Sequence, residues 1–86
     1  MKLFLKFNNL IKERNYLQEQ LAQAESMLDS IDSKIDQFEK LNLPESADRL
    51  SQEYNRWNLI RIDLEIKYYK LELKLSKLEK KMISKE

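Results

Sequence analysis

Apolar residues recur every seven positions in two rows along the first half of the chain. The rows are four residues apart, which is the alternating 3–4 spacing of a coiled-coil seam. The first row occupies the d positions and the second the a positions of the heptad: Leu3, Leu10, Leu17, Ala24, Ile31 and Phe38 at d; Phe7, Arg14, Leu21, Leu28, Ile35 and Asn42 at a. This pattern predicts a helix over about residues 1–41.

The first seam stops just before Pro44. Proline lacks an N–H and crowds the preceding turn, so it ends a helix, but it fits well in the first turn of a new one. Asn42 followed by Glu45 is typical of a capping box, with Ser46 as a second candidate cap. We therefore predict a bend at about 41–45 and a second helix from about residue 44, with Asn42 or Ser46 as its cap.

A second seam then runs to about residue 84. Its d row and a row are Leu50, Trp57, Leu64, Leu71 and Leu78 at d; Tyr54, Arg61, Tyr68, Leu75 and Met82 at a. Two long helices joined by so short a bend must lie antiparallel, which predicts an all-α hairpin forming one domain over residues 1–86. Alternation of apolar and charged residues over 60–68 also fits a half-buried strand. Helix is favoured because the seam continues through this segment and no turn follows it.

Each seam contains an arginine at an a position, Arg14 and Arg61. Two interpretations are open. The side chain can pack its stem and extend its charged head into water, or a polar a position can fix helix register and partner number at a cost in stability.

The second helix carries a further apolar row on the side away from its seam. We call it the second stripe; its spacing is 3, 4, 3, 4 and its members are Leu59, Ile62, Ile66, Tyr69 and Leu73. A single partner helix buries only one face, and a regular stripe of large apolar residues is typical of an interface. The second stripe therefore predicts association with a second copy or with another helical protein.

Charge is distributed unevenly, although the net charge is only +1. Residues 1–14 carry a net +3, residues 67–86 a net +4, and residues 15–66 a net −6. Two helical rows stand out, an acidic stripe of Glu25, Asp29, Asp32, Asp36 and Glu39 and a lysine stripe of Lys67, Lys70, Lys74, Lys77 and Lys81. Two hairpins with their bends at opposite ends would bring these stripes level, so we expect an antiparallel dimer forming a four-helix bundle.

Composition excludes most catalytic chemistry. The chain has no Gly, Cys or His, which removes phosphate-binding glycine loops, thiol nucleophiles, histidine-dependent zinc sites and the commonest proton shuttle. Its serines have no histidine to activate them, and no loop has the ligand spacing of a calcium site. We expect a non-enzymatic protein without catalytic residues, cofactor or metal.

These observations favour two classes of function over a third, membrane-surface binding by the basic amphipathic segment 59–83, whose apolar faces are expected to be buried against protein. The first is a protein-interaction module that acts as an adaptor, small chaperone or assembly subunit. The second is a nucleic-acid-binding hairpin that uses its basic open end, where eight lysines gather: Lys2, Lys6, Lys67, Lys70, Lys74, Lys77, Lys80 and Lys81. The apolar runs are too short to cross a membrane and Lys6 interrupts the first of them, so a cytoplasmic protein is expected.

Overall fold

The computed structural model describes residues 2–84, which form two long helices joined by a short bend. Helix α1 spans Lys2–Lys40 and helix α2 spans Pro44–Ser84. They lie side by side in a rod of 65 × 14 × 14 Å. The predicted helical hairpin is confirmed. The alternative of a strand over residues 60–68 is wrong, because this segment lies within α2.

The two helices meet along the predicted seams. Every predicted seam residue is buried or half-buried except Asn42, which lies exposed in the bend. Ala47, seven residues before Tyr54, is also buried and extends the a row of α2 toward the bend. The buried seam residues are Leu17, Ala24, Leu28, Ile31, Leu64, Leu71, Leu75 and Leu78. The core is therefore a single layer between two helices.

The bend is formed by a left-handed residue at the end of α1. Asn42 has a φ of 57°. The N–H of Leu43 donates to the carbonyl of Phe38 at 2.9 Å, and the N–H of Asn42 donates to the carbonyl of Glu39 at 3.1 Å. These two bonds define a Schellman motif, which satisfies the last carbonyls of α1.

Asn42 is therefore not the cap of α2, and that prediction is wrong. A capping residue has extended backbone angles, whereas Asn42 is left-handed. Leu43 takes the capping position instead, and its carbonyl accepts the N–H of Ala47 at 3.1 Å. The chain has no glycine, and asparagine is the residue that next best tolerates the left-handed conformation.

Replacing Asn42 tests this assignment. We expect Asn42→Gly to be at least as stable as the wild type, because glycine adopts the left-handed conformation without steric cost. Asn42→Ala should be about 1 kcal/mol less stable than Asn42→Gly. Urea unfolding followed by circular dichroism measures both. If Asn42→Gly were clearly less stable than the wild type and Glu45→Ala were destabilising as well, the capping-box interpretation would be restored.

The two seam arginines behave differently. Arg14 reaches across to α2, where its Nη1 lies 3.6 Å from Oε1 of Glu72. Its Nε is buried and has no hydrogen-bond partner among the described residues. Arg61 instead stays on its own helix, donating to Oε1 of Glu65 at 2.6 Å and to Oδ1 of Asn58 at 2.8 Å. Of these two arginines, only Arg14 forms an ion pair with the other helix within residues 2–84, and that pair depends on how the two helices are aligned.

We expect Arg14→Leu to raise the free energy of unfolding of the hairpin by about 1 kcal/mol. A leucine fills the seam and removes both the partly desolvated charge and its unpartnered Nε. Arg14→Gln is the control, since it removes the charge without adding apolar volume, and it should not stabilise. A less stable Arg14→Leu hairpin in urea unfolding would mean that the pair with Glu72 contributes net stability.

Candidate interaction surfaces

The second stripe is exposed along its whole length. Its exposed fractions are Leu59 68%, Ile62 38%, Ile66 48%, Tyr69 67% and Leu73 63%. The seam residues of the same helix segment, such as Leu64 and Leu71, are 9% and 5% exposed. The hairpin thus buries one apolar face of α2 and leaves the other in contact with solvent.

The second stripe is nearly symmetric about Ile66. Leu59 and Leu73 lie seven residues to either side of it, and Ile62 and Tyr69 lie four and three residues away. An antiparallel copy of α2 centred on Ile66 would therefore place a large apolar side chain opposite each member of the stripe or one residue from that point. Such self-complementarity is what a two-fold symmetric interface requires.

One flank of the hairpin is acidic. A groove on this flank lies beside Ile11 and Arg14 of α1 and Glu72 and Glu79 of α2. Three members of the acidic stripe, Glu25, Asp32 and Glu39, follow Ile11 at multiples of seven residues and continue its row. All five residues of the acidic stripe are exposed. The acidic stripe and the groove therefore share this flank, which we call the acidic flank.

The opposite flank is basic near the open end of the hairpin. A groove of about 310 Å³ lies there between the two helices, with an apolar floor formed by Leu10 and Leu78. Its rim consists of four lysines, Lys6, Lys74, Lys77 and Lys81. Lys67 precedes Lys74 by one heptad, and the whole lysine stripe is exposed. We call this side the lysine flank.

The acidic and lysine stripes do not meet within the hairpin. Asp36 pairs with Lys40 and Lys67 pairs with Asp63, each at 3.0 Å and one helical turn apart. The other eight residues of the two stripes form no ion pair within residues 2–84. Most of this charge therefore faces solvent in a single copy.

The sequence pattern did not show that the two charged stripes lie on opposite flanks of the hairpin. The heptad positions of the two stripes could have predicted this placement, because positions on the two sides of a seam fall on different flanks of an antiparallel helix pair. The sequence pattern also gave no sign of a hydrogen bond across the seam, in which Nε2 of Gln18 donates to the Tyr68 hydroxyl at 3.1 Å.

Within residues 2–84, no group of three or more acidic side chains lies close enough together to hold a metal ion. Neither α1 nor α2 contains a stretch that is long and apolar enough to cross a membrane.

No protein-family model, curated protein or solved structure matches this chain.

Proposed function

We propose that this chain is a non-enzymatic protein-interaction module that associates through the second stripe. The observation that carries the proposal is an apolar row centred on Ile66 that the hairpin itself leaves exposed. Removing such a row from water is the largest favourable term available to a small helical protein. An adaptor, a small chaperone or an assembly subunit would each use such a surface.

A second copy of the chain fits this surface. Because the second stripe is nearly symmetric about Ile66, two antiparallel α2 helices would cover each other's stripes with their bends at opposite ends. The assembly would contain four helices. Docking on another helical protein remains the alternative, and a cytoplasmic location stays a prediction.

A pair of aspartate substitutions separates the second stripe from the seam. Ile66→Asp should weaken association by at least about 2 kcal/mol, because it would bury a charge at the centre of the interface. It should leave the hairpin helical. Leu64→Asp places the charge in the seam and should destabilise the hairpin itself by about 3 kcal/mol or more. Light scattering measures association, and circular dichroism measures folding.

Gln52→Asp is the matched control. Gln52 is exposed and lies in the same helical row as Leu59 and Ile66, but outside the second stripe. It should neither weaken association nor unfold the chain. A wild-type chain that is monomeric at every concentration would require a different protein as the partner. Equal behaviour of the Ile66 and Leu64 variants would contradict the division into seam and second stripe.

The second candidate function is nucleic-acid binding at the lysine flank. Its support is the convergence of Lys6 from α1 with Lys74, Lys77 and Lys81 from α2 around one groove. Clustered ammonium groups are sufficient for contact with phosphates, which supply most non-specific affinity. The sequence offers few arginines near this groove to read bases, so such binding would depend on the backbone rather than on sequence.

Salt dependence tests this candidate. Binding to a double-stranded oligonucleotide should weaken steeply with salt, with a log–log slope of about −0.9 for each phosphate contact. Changing Lys74, Lys77 and Lys81 to Gln should flatten that slope by about two to three units. The same change at Lys12, Lys34 and Lys40, none of which lines the groove, is the control. No measurable binding at low salt would reject the candidate.

A further inference from the structure

We propose that copies of this hairpin also associate flank to flank, the acidic stripe of one copy lying against the lysine stripe of the next. The inference rests on the placement of the two stripes on opposite flanks, where eight of their ten residues form no ion pair within residues 2–84. A second copy of the chain is the occupant, because it presents the opposite charge at the matching spacing. This contact is separate from the second stripe and does not depend on it.

The two stripes match in length and in position. Each covers fifteen residues from first to last, and its ends are about 21 Å apart at ~1.5 Å rise per residue. Glu39 lies one residue before the end of α1, and Lys81 lies three residues before the end of α2. Turning the second copy end for end makes its α2 run parallel to α1 of the first copy and end at nearly the same level.

This alignment pairs the stripes residue by residue. Lys70 of one copy lies beside Asp29 of the other, and Lys74 lies beside Asp32. The remaining offset is about two residues along the helix, or ~3 Å. The flexible four-carbon stem of a lysine spans such an offset.

The other two helices at this contact, α1 of one copy and α2 of the other, add a further complementary pair. Lys34 follows Lys6 by four heptads and therefore lies on the lysine flank, while Glu79 lines the acidic groove. Lys34 lies six residues before the end of α1 and Glu79 five residues before the end of α2. The end-for-end turn therefore sets Lys34 of one copy level with Glu79 of the other.

This interface does not close on itself. Each contact uses the acidic flank of one copy and the lysine flank of another, so every added copy leaves one flank of each kind unoccupied. Assembly should therefore continue beyond a dimer as concentration rises. Individual exposed pairs are weak and screened by salt, so assembly should decrease as salt is added.

Charge reversal with mixing tests the proposal. Lys70→Glu with Lys74→Glu places two carboxylates in the centre of the lysine stripe, and Asp29→Lys with Asp32→Lys places two lysines in the centre of the acidic stripe. Each variant alone should lose the assembly beyond the dimer, with an association constant at least about tenfold lower. An equimolar mixture of the two should recover it. Sedimentation velocity at about 0.1 M salt, where the Debye length is about 10 Å, measures assembly.

Lys12→Glu with Lys80→Glu is the matched control, since it makes the same change in net charge at exposed positions off both flanks. It should assemble like the wild type. At about 1 M salt, flank association should disappear, whereas association through the second stripe should persist.

The proposal is overturned if the wild type forms no species larger than a dimer at about 0.1 M salt. It is also overturned if both reversed variants assemble normally, or if their mixture fails to recover. If Ile66→Asp loses the dimer but keeps flank assembly, the result bears on association through the second stripe and leaves the flank proposal standing.

Discussion

The apolar seam between α1 and α2 is the contact on which the rest of the molecule depends. A helix pair has no second layer, so the buried seam residues supply the hydrophobic stabilisation of the hairpin. They include Leu17 and Ala24 in α1 and Leu71 and Leu78 in α2. The seam also fixes the orientation of every other side chain. Once positions a and d face inward, the remaining heptad positions are assigned to the two flanks or to the outer faces.

That assignment explains why so plain a composition produces distinct surfaces. On α2, the positions opposite the seam carry the second stripe, and the positions beside Leu78 carry the lysine stripe. On α1, the row that continues from Ile11 carries much of the acidic stripe. A short bend then holds the two helices side by side, so that each flank combines residues from both. The surfaces are consequences of one periodicity and one turn.

The periodicity made the helices, the seam and the exposed second stripe predictable from the sequence. Heptad spacing depends only on which residues repeat, and here the repeats are long enough to outweigh the strand-like alternation near Ile62. The bend was less predictable. Asn42 has a side chain that suits either a helix cap or a left-handed turn, and the choice between them is made by backbone hydrogen bonds to Phe38 and Glu39 that have no sequence signature. The placement of charges on opposite flanks required combining both helices, which neither stripe reveals alone.

The apolar and charged surfaces differ in the symmetry that they allow. The second stripe is nearly self-complementary about Ile66, so a single pairing would cover both copies and the contact would close at two. The charged stripes are complementary only to each other. The acidic flank has no lysine opposite Asp32, and the lysine flank has no carboxylate of the acidic stripe opposite Lys74. A contact of that kind cannot be satisfied within a closed pair. Burial of apolar area is also stronger than pairing of exposed charges and persists in salt. The second stripe would thus form the stable unit, and the charged flanks would govern, through ionic strength, whether those units join further.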